Sequence, residues 1–269
     1  MTLVVGAVAE DGPRLWADSR LSHPHTTPHY LDGALKLLIL DPELCIGYSG
    51  TYLAAVRAAR DVAHLPRPYS IEAVQDRLLR EQNCDFLISS LRPSSLRRVA
   101  GGTVVAGDNL WIGDLVAFTR LQELRLAEPD TGHLLTDAAT TTAAMQTLIE
   151  EAQPGSVGEL VISVVPEHAG FMYAPHIELT AGSQTIPSGK WTTVTFGSTV
   201  RGDFGWTLLT PQRSGVAAIG VYFIEGGLGM LLHPLVSDDP ILFRSVTQDQ
   251  FATRVREEFG FGVLGVKLG

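Results

Sequence analysis

The chain has 269 residues, 45% of them hydrophobic and 18% charged, with a net charge of −9 at pH 7. That apolar share supplies a core and excludes a disordered chain. The acidic balance, with no basic run beyond Leu96-Arg97-Arg98, excludes a nucleic-acid partner that would need a basic face.

Leu3 to Val8 reads as an apolar strand, Asp11-Gly12-Pro13 as a turn, and Arg14 to Ala17 as the returning strand. Ser22 to Gly33 is a loop rich in Pro, His and Thr. Leu35 to Leu40 and Leu44 to Tyr48 are strands joined by the Asp41-Pro42-Glu43 turn. Ser49-Gly50-Thr51 breaks the last strand and starts a helix with Leu53, Val56 and Ala63 on one face, ended by Pro66 and Pro68. Ser70 is the N-cap of a second helix, with Glu72 favourable at its positive end and Ile71, Val74, Leu78 and Leu79 at helical spacing.

Strands and turns return from Asp85 to Ile112. A short helix follows with Leu115, Phe118, Leu121 and Leu124, then a longer one over Leu135 to Ala152. Glu159 to Val165 and Gly170 to Ala174 form a hairpin across Pro166-Glu167-His168-Ala169. Strand blocks with helices in pairs between them are not the alternation of a parallel βαβ protein, and two antiparallel sheets between helix layers fit better. The remainder, 177–269, is β-rich with one helix, which Thr247 and Gln250 open at capping-box spacing. Its "AIGVYFIEGGLGMLLHP" shares a strand-turn-strand pattern with "ELVISVVPEHAGFMYAP".

The chemistry centres on Thr2. Once Met1 is lost, a threonine in first place carries nucleophile and base together, because its hydroxyl attacks a carbonyl and its own amine takes the proton. An α-amine with a pKa near 7.7–8.0 is partly neutral at physiological pH. The hydroxyl also needs a nearby cation held by a carboxylate, and N–H donors facing the developing oxyanion. Asp18 ends the strand that pairs back beside Thr2, Lys36 is a charge inside the apolar "LKLLIL", and Gly50 offers an unhindered N–H at a helix start.

Three stretches, "TLVVGAVAEDGPRLWADSRLS", the lysine of "LKLLIL" and "CIGYSGTYLAAVRAARD", resemble proteasome β-type subunits. These belong to the N-terminal nucleophile hydrolases, as do the bacterial proteasome-like peptidases. The likeness covers roughly Thr2 to Pro175 and returns at "NLWIGD". It implies an α+β fold: a four-layer α/β/β/α sandwich of two antiparallel sheets over 1–176, with a β-rich C-terminal extension over 177–269. It also implies Thr2 as nucleophile, Asp18 orienting Lys36, Lys36 tuning the amine and hydroxyl, Gly50 as oxyanion donor and Arg20 bracing the site. Where the family has a serine before its third helix this chain has Asp114, which would raise the amine's pKa. Ser156 matches a later family serine, but Gln153 or Pro154 stands near the place of the family's aspartate.

The expectation is hydrolysis of amide bonds in peptides within a homo-oligomeric ring, with no cofactor and no metal; no regulatory ATPase is assigned. The alternatives are an inactive subunit of the same fold, serving assembly or binding, and a small-molecule amidase of the same class. His23, His25 and His29 have metal-ligand chemistry, but their Pro/Thr-rich setting reads as a solvent loop. Cys45 and Cys84 read as reduced core thiols, Asp203 and Trp206 as turn and packing residues. No apolar run approaches the roughly 18–20 residues of a membrane span, and no signal-like segment opens the chain, so a cytoplasmic location and no membrane partner are expected.

Overall fold

Short apolar runs cut by Gly, Pro and Asp dictate a strand-rich chain, and the computed structural model shows how the strands assort. It describes residues 2–18, 20–22, 30–32, 36–127, 138–151, 161–168, 170–176, 184–188, 191–195, 204–208, 218–223, 228–232, 241–259 and 263–268. Two units separate, Met1–Ile177 and Glu178–Gly269.

In the first unit, β1 (Leu3–Ala9) and β2 (Gly12–Asp18) form the opening hairpin, and β3 (Arg20–Ser22) pairs with β4 (Tyr30–Asp32). β5 (Leu37–Asp41), β6 (Leu44–Gly50), α1 (Tyr52–Ala63) and α2 (Ile71–Leu78) come next. β7 (Cys84–Leu91), β8 (Ser94–Ala100), β9 (Thr103–Ala106) and β10 (Asn109–Gly113) follow. α3 (Leu115–Leu126), α4 (Ala138–Glu151), β11 (Val161–Glu167) and β12 (Gly170–His176) close the unit. One antiparallel sheet has the order β10-β1-β2-β11-β12 and the other β5-β6-β7-β8-β9.

The two sheets stack at glycines. A Cβ on Gly6 would lie 2.7 Å from the Leu15 side chain and 3.0 Å from that of Leu96, and one on Gly47 would lie 2.9 Å from Val4. The absent side chains let β1 seat directly on the second sheet. On its other face the first sheet offers Leu3, Val5, Ala7 and Trp16 to Ala117 and Leu121 of α3 and Ala144, Met145 and Leu148 of α4. Trp16 is fully buried and its indole Nε1 donates to Thr142 Oγ1 at 3.0 Å, which satisfies its only polar atom. α1 and α2 pack against β6 and β7 of the second sheet. The layers therefore run helices, sheet, sheet, helices.

Local signals account for the helix starts. The Ser70 hydroxyl accepts from the Ala73 N–H at 3.4 Å, as its place before α2 predicts. Several details differ from expectation. Leu53 is 46% exposed, and α1 instead buries Ala55, Val56, Ala59 and Val62, whose small side chains let the helix lie close to its sheet. Leu115 is exposed on the first turn of α3, while Ala117, Leu121 and the Arg125 stem face inward. β11 continues through Pro166, opposite Phe171, so the turn is shorter than Pro166 to Ala169. Lys36 precedes β5 rather than lying within it. The parts of the longer helix and of the hairpin assigned to 135–137, 152 and 159–160 lie outside the described residues.

The second unit is a seven-stranded sheet in the order β13 (Gln184–Ser188), β14 (Trp191–Thr195), β15 (Phe204–Leu208), β19 (Val263–Leu268), β16 (Ala218–Phe223), β17 (Leu228–Leu232), β18 (Ile241–Phe243). All its pairs are antiparallel except β16 with β19. α5 (Gln248–Phe259) starts at the capping box: the Gln250 N–H donates to Thr247 Oγ1 at 3.2 Å, and the Thr247 N–H to Gln250 Oε1 at 2.8 Å. Phe251 and Val255 pack on Leu231, Phe243 and Val246, with the Phe243 and Phe251 rings edge to face at 5.2 Å. The two look-alike segments, near 159–175 and 218–234, both form antiparallel hairpins, β11–β12 and β16–β17. Trp206 lies on β15 opposite Val194, and Asp203 is outside the described residues. Among the described residues no helix is long and apolar enough to cross a membrane.

Candidate active site

Two residues eighteen apart in sequence meet inside the first unit. Asp18 ends β2 in the first sheet and Lys36 stands just before β5 in the second. Lys36 Nζ lies 2.8 Å from Asp18 Oδ2, and the side chains are 1% and 0% exposed. The second carboxylate oxygen, Oδ1, accepts the Leu3 N–H at 3.0 Å. One carboxylate thus fixes both the ammonium and the first backbone amide of β1. In a dry interior each of these bonds is strong and neither charge tolerates loss of its partner.

Thr2 is joined directly to that amide and is half-buried. Its carbonyl accepts the Asp114 N–H at 2.8 Å. The approach requires glycine at 113: its φ is +104°, and a Cβ there would fall 1.9 Å from the Thr2 oxygen. Thr2 is therefore held on one side through Leu3 and Asp18, and on the other through Gly113 and Asp114. The sequence carried a trace of Gly113 in "NLWIGD", a glycine just before a helix cap, but nothing in it named Thr2 as the partner.

Asp114 sits beside Thr2 through its backbone, while its carboxylate is occupied elsewhere. Oδ1 accepts the Val116 N–H at 2.8 Å and the Ala117 N–H at 3.1 Å, capping α3. That N-cap role comes from the side chain's place before the helix.

Gly50 ends β6 at an exposed position with φ +103°. A Cβ there would lie 2.5 Å from the Asn83 carbonyl, so the site demands glycine on two counts. Thr51 is the N-cap of α1 and makes no side-chain cap bond. The Cys84 thiol donates to the Thr51 carbonyl at 3.2 Å, and burial, aided by Glu81, pushes its pKa up to about 11. Cys45 is fully buried, which drives its thiol further from ionisation. Both cysteines are free thiols.

Thr2, Asp18, Lys36, Asp114 and Gly50 thus lie in the first unit, and hydrogen bonds and an ion pair join the first four through Leu3 and Gly113. Gly50 lies at the end of β6, where the Tyr48 N–H donates to the Lys36 carbonyl at 3.1 Å. Arg20 opens β3 opposite Asp32, and nothing is described of its side chain. Ser156, Gln153 and Pro154 lie outside the described residues, as do His23, His25 and His29. No protein-family model matches the chain, and no curated protein matches it.

Proposed function

We propose that the first unit is an N-terminal nucleophile hydrolase that cleaves amide bonds of peptides with Thr2. One observation carries this reading: a fully buried Lys36–Asp18 pair whose carboxylate also holds the amide of Leu3, the residue bonded to Thr2. A buried ion pair is a costly device, and its placement at the first residue of a strand has a chemical use. With Met1 removed, the Thr2 hydroxyl attacks the substrate carbonyl carbon, and its own amine accepts the hydroxyl proton. The Lys36 ammonium, oriented by Asp18, favours the alkoxide form of the hydroxyl. The Gly50 N–H donates to the oxyanion of the tetrahedral intermediate. The protonated amine then gives its proton to the leaving nitrogen, and water releases the acyl group from Thr2. The four-layer architecture of two antiparallel sheets between helix pairs supports the same fold assignment, and assembly into a ring in the cytoplasm goes with it by analogy.

A second reading is a subunit of this fold without chemistry, serving assembly or binding. It is favoured by Asp114, a carboxylate that caps α3 where the family has a serine.

The decisive experiment measures the intact mass of the mature protein and its adduct with an electrophile selective for N-terminal threonine. The expected result is loss of Met1 and one adduct on Thr2, with turnover of fluorogenic peptides that falls about a thousandfold or more in Thr2→Ala. A mature chain that retains Met1, or turnover unchanged in Thr2→Ala, overturns the hydrolase reading. Turnover of simple amides but not of peptides replaces the peptide substrate by a small amide.

A further inference from the structure

A second pair of opposite charges stands at the same strand ends as Gly50. β7 and β8 run antiparallel with Leu87 opposite Arg98 and Phe86 opposite Val99. Strand alternation then places Asp85, Leu87 and Arg98 on one face. That face is turned toward the first sheet, because Leu96, two residues before Arg98, packs on Gly6. Arg97, on the opposite face, donates instead to Gln75 of α2 at 2.9 Å. Asp85 lies opposite Ser49, and its neighbour Cys84 opposite Gly50, so the pair borders the proposed oxyanion donor.

Asp85 and Arg98 are both half-buried. Burial raises the Asp85 carboxyl pKa and the charge of Arg98 lowers it, so the two groups feel each other. Yet no ion pair or hydrogen bond joins them, and neither head group has a hydrogen-bond partner among the described residues. As diagonal neighbours they are within mutual reach of a long side chain. A guanidinium with spare donors and a carboxylate with spare acceptors stand side by side on the inner face.

What complements such a pair is a neutral group that accepts and donates at once. An anion is repelled by Asp85 and by a chain of net charge −9, and a cation is repelled by Arg98. A carboxamide takes a hydrogen bond on its oxygen and gives one from its nitrogen. We propose that Arg98 and Asp85 are specificity-determining residues that hold a glutamine or asparagine side chain of the substrate, Arg98 donating to the carboxamide oxygen and Asp85 accepting from its NH2. The proposal rests on the hydrolase reading for the word substrate, but binding can be read without turnover.

The experiment uses the full chain and blocked peptides identical except for one residue, Gln, Glu, Leu or Lys, beside the scissile bond. Turnover is measured for the unsubstituted protein and for Arg98→Ala, Arg98→Lys and Asp85→Ala. Calorimetric binding of the same peptides is measured on Thr2→Ala, alone and combined with each substitution. The expected result is a preference for Gln over Leu and Glu of about tenfold or more, from hydrogen bonds to charged partners. Arg98→Ala and Asp85→Ala each abolish it, Arg98→Lys retains part, and these three variants, with Thr2 in place, still take the adduct. A Gln preference that survives both alanine variants at unchanged melting temperature overturns the proposal. So does a preference for Glu lost only with Arg98, which marks an anion site, or an equal loss for all four peptides, which marks contact with a backbone amide. If Thr2 takes no adduct and no peptide is cleaved, the hydrolase reading falls, while the Gln-over-Leu difference in calorimetry still decides the Arg98–Asp85 pair.

Discussion

Two ion pairs in the first unit have the same length and opposite surroundings. Lys36 lies 2.8 Å from Asp18 with side chains 1% and 0% exposed, whereas Arg120 of α3 lies 2.8 Å from Glu151 of α4 with side chains 43% and 41% exposed. Arg120 also closes a second bond to Glu151 and one to Glu123. Solvent decides between them nonetheless. Water screens and replaces the surface pair at little cost, while in the buried interior neither charge can exchange its partner for water. The contrast teaches that distance alone does not rank an electrostatic contact. It also marks the Asp18–Lys36 pair as a feature that stability alone does not explain, since apolar residues of similar volume serve a core as well.

The largest effect expected is on the buried pair. Lys36→Ala removes the ammonium paired with the buried Asp18 carboxylate and is expected to lower stability by about 3–5 kcal/mol, measured by urea unfolding. Lys36→Met with Asp18→Asn restores much of that loss but no peptide turnover. A doubly substituted protein that still cleaves peptides breaks the link between the pair and chemistry.

Backbone geometry at the same strand ends comes next. Gly113→Ala sets a Cβ against the Thr2 carbonyl and Gly50→Ala sets one against the Asn83 carbonyl, both at positive φ. Each is expected to cost about 1–3 kcal/mol or more and to suppress adduct formation at Thr2. Gly101→Ala and Gly102→Ala sharpen the comparison, because a Cβ there meets nothing within 4 Å. Only the αL penalty of about 1 kcal/mol is expected, with Thr2 labelling unchanged.

A smaller effect is chemical. With its thiol pKa near 11 and its side chain buried, Cys84 is expected to resist iodoacetamide at pH 8 in the folded protein and to react after unfolding. Peptide mapping reads the site, and fast labelling in the native state contradicts the assigned burial.

The smallest effect belongs to the surface pair. The Arg120 hydrogen bonds hold the Glu151 carboxyl below the usual carboxylate range. A lowered folded-state pKa contributes stability that is present above the unfolded value and is lost as pH falls through the folded one. Arg120→Ala is therefore expected to change the melting temperature slightly at neutral pH and low salt. The change fades in high salt and vanishes in acid below the folded pKa. A large or salt-independent change would overturn the ranking of the two pairs.

Much of this arrangement was legible in the residues. Alternating and continuous apolar runs announced the hairpins, Ser70 and the Thr247/Gln250 spacing announced their helices, and each acts through short-range bonds that neighbours in sequence decide. Apolar periodicity misjudged Leu53 and Leu115, because which stripe of a helix is buried depends on the sheet beneath it. Alanines won on α1 for the same reason.

By itself, then, the sequence determined where strands and helices begin, that two antiparallel sheets would carry helix pairs, and that Thr2, Asp18, Lys36 and Gly50 were worth watching. Tertiary structure alone decided that Asp18 from one sheet and Lys36 from the other bury their charges together, that Gly113 and Asp114 clasp the Thr2 backbone, and that the Asp114 carboxylate serves α3. The physical reason is range: caps and turns close over three or four residues, whereas a buried charge finds its partner only when two sheets are pressed face to face and water has left.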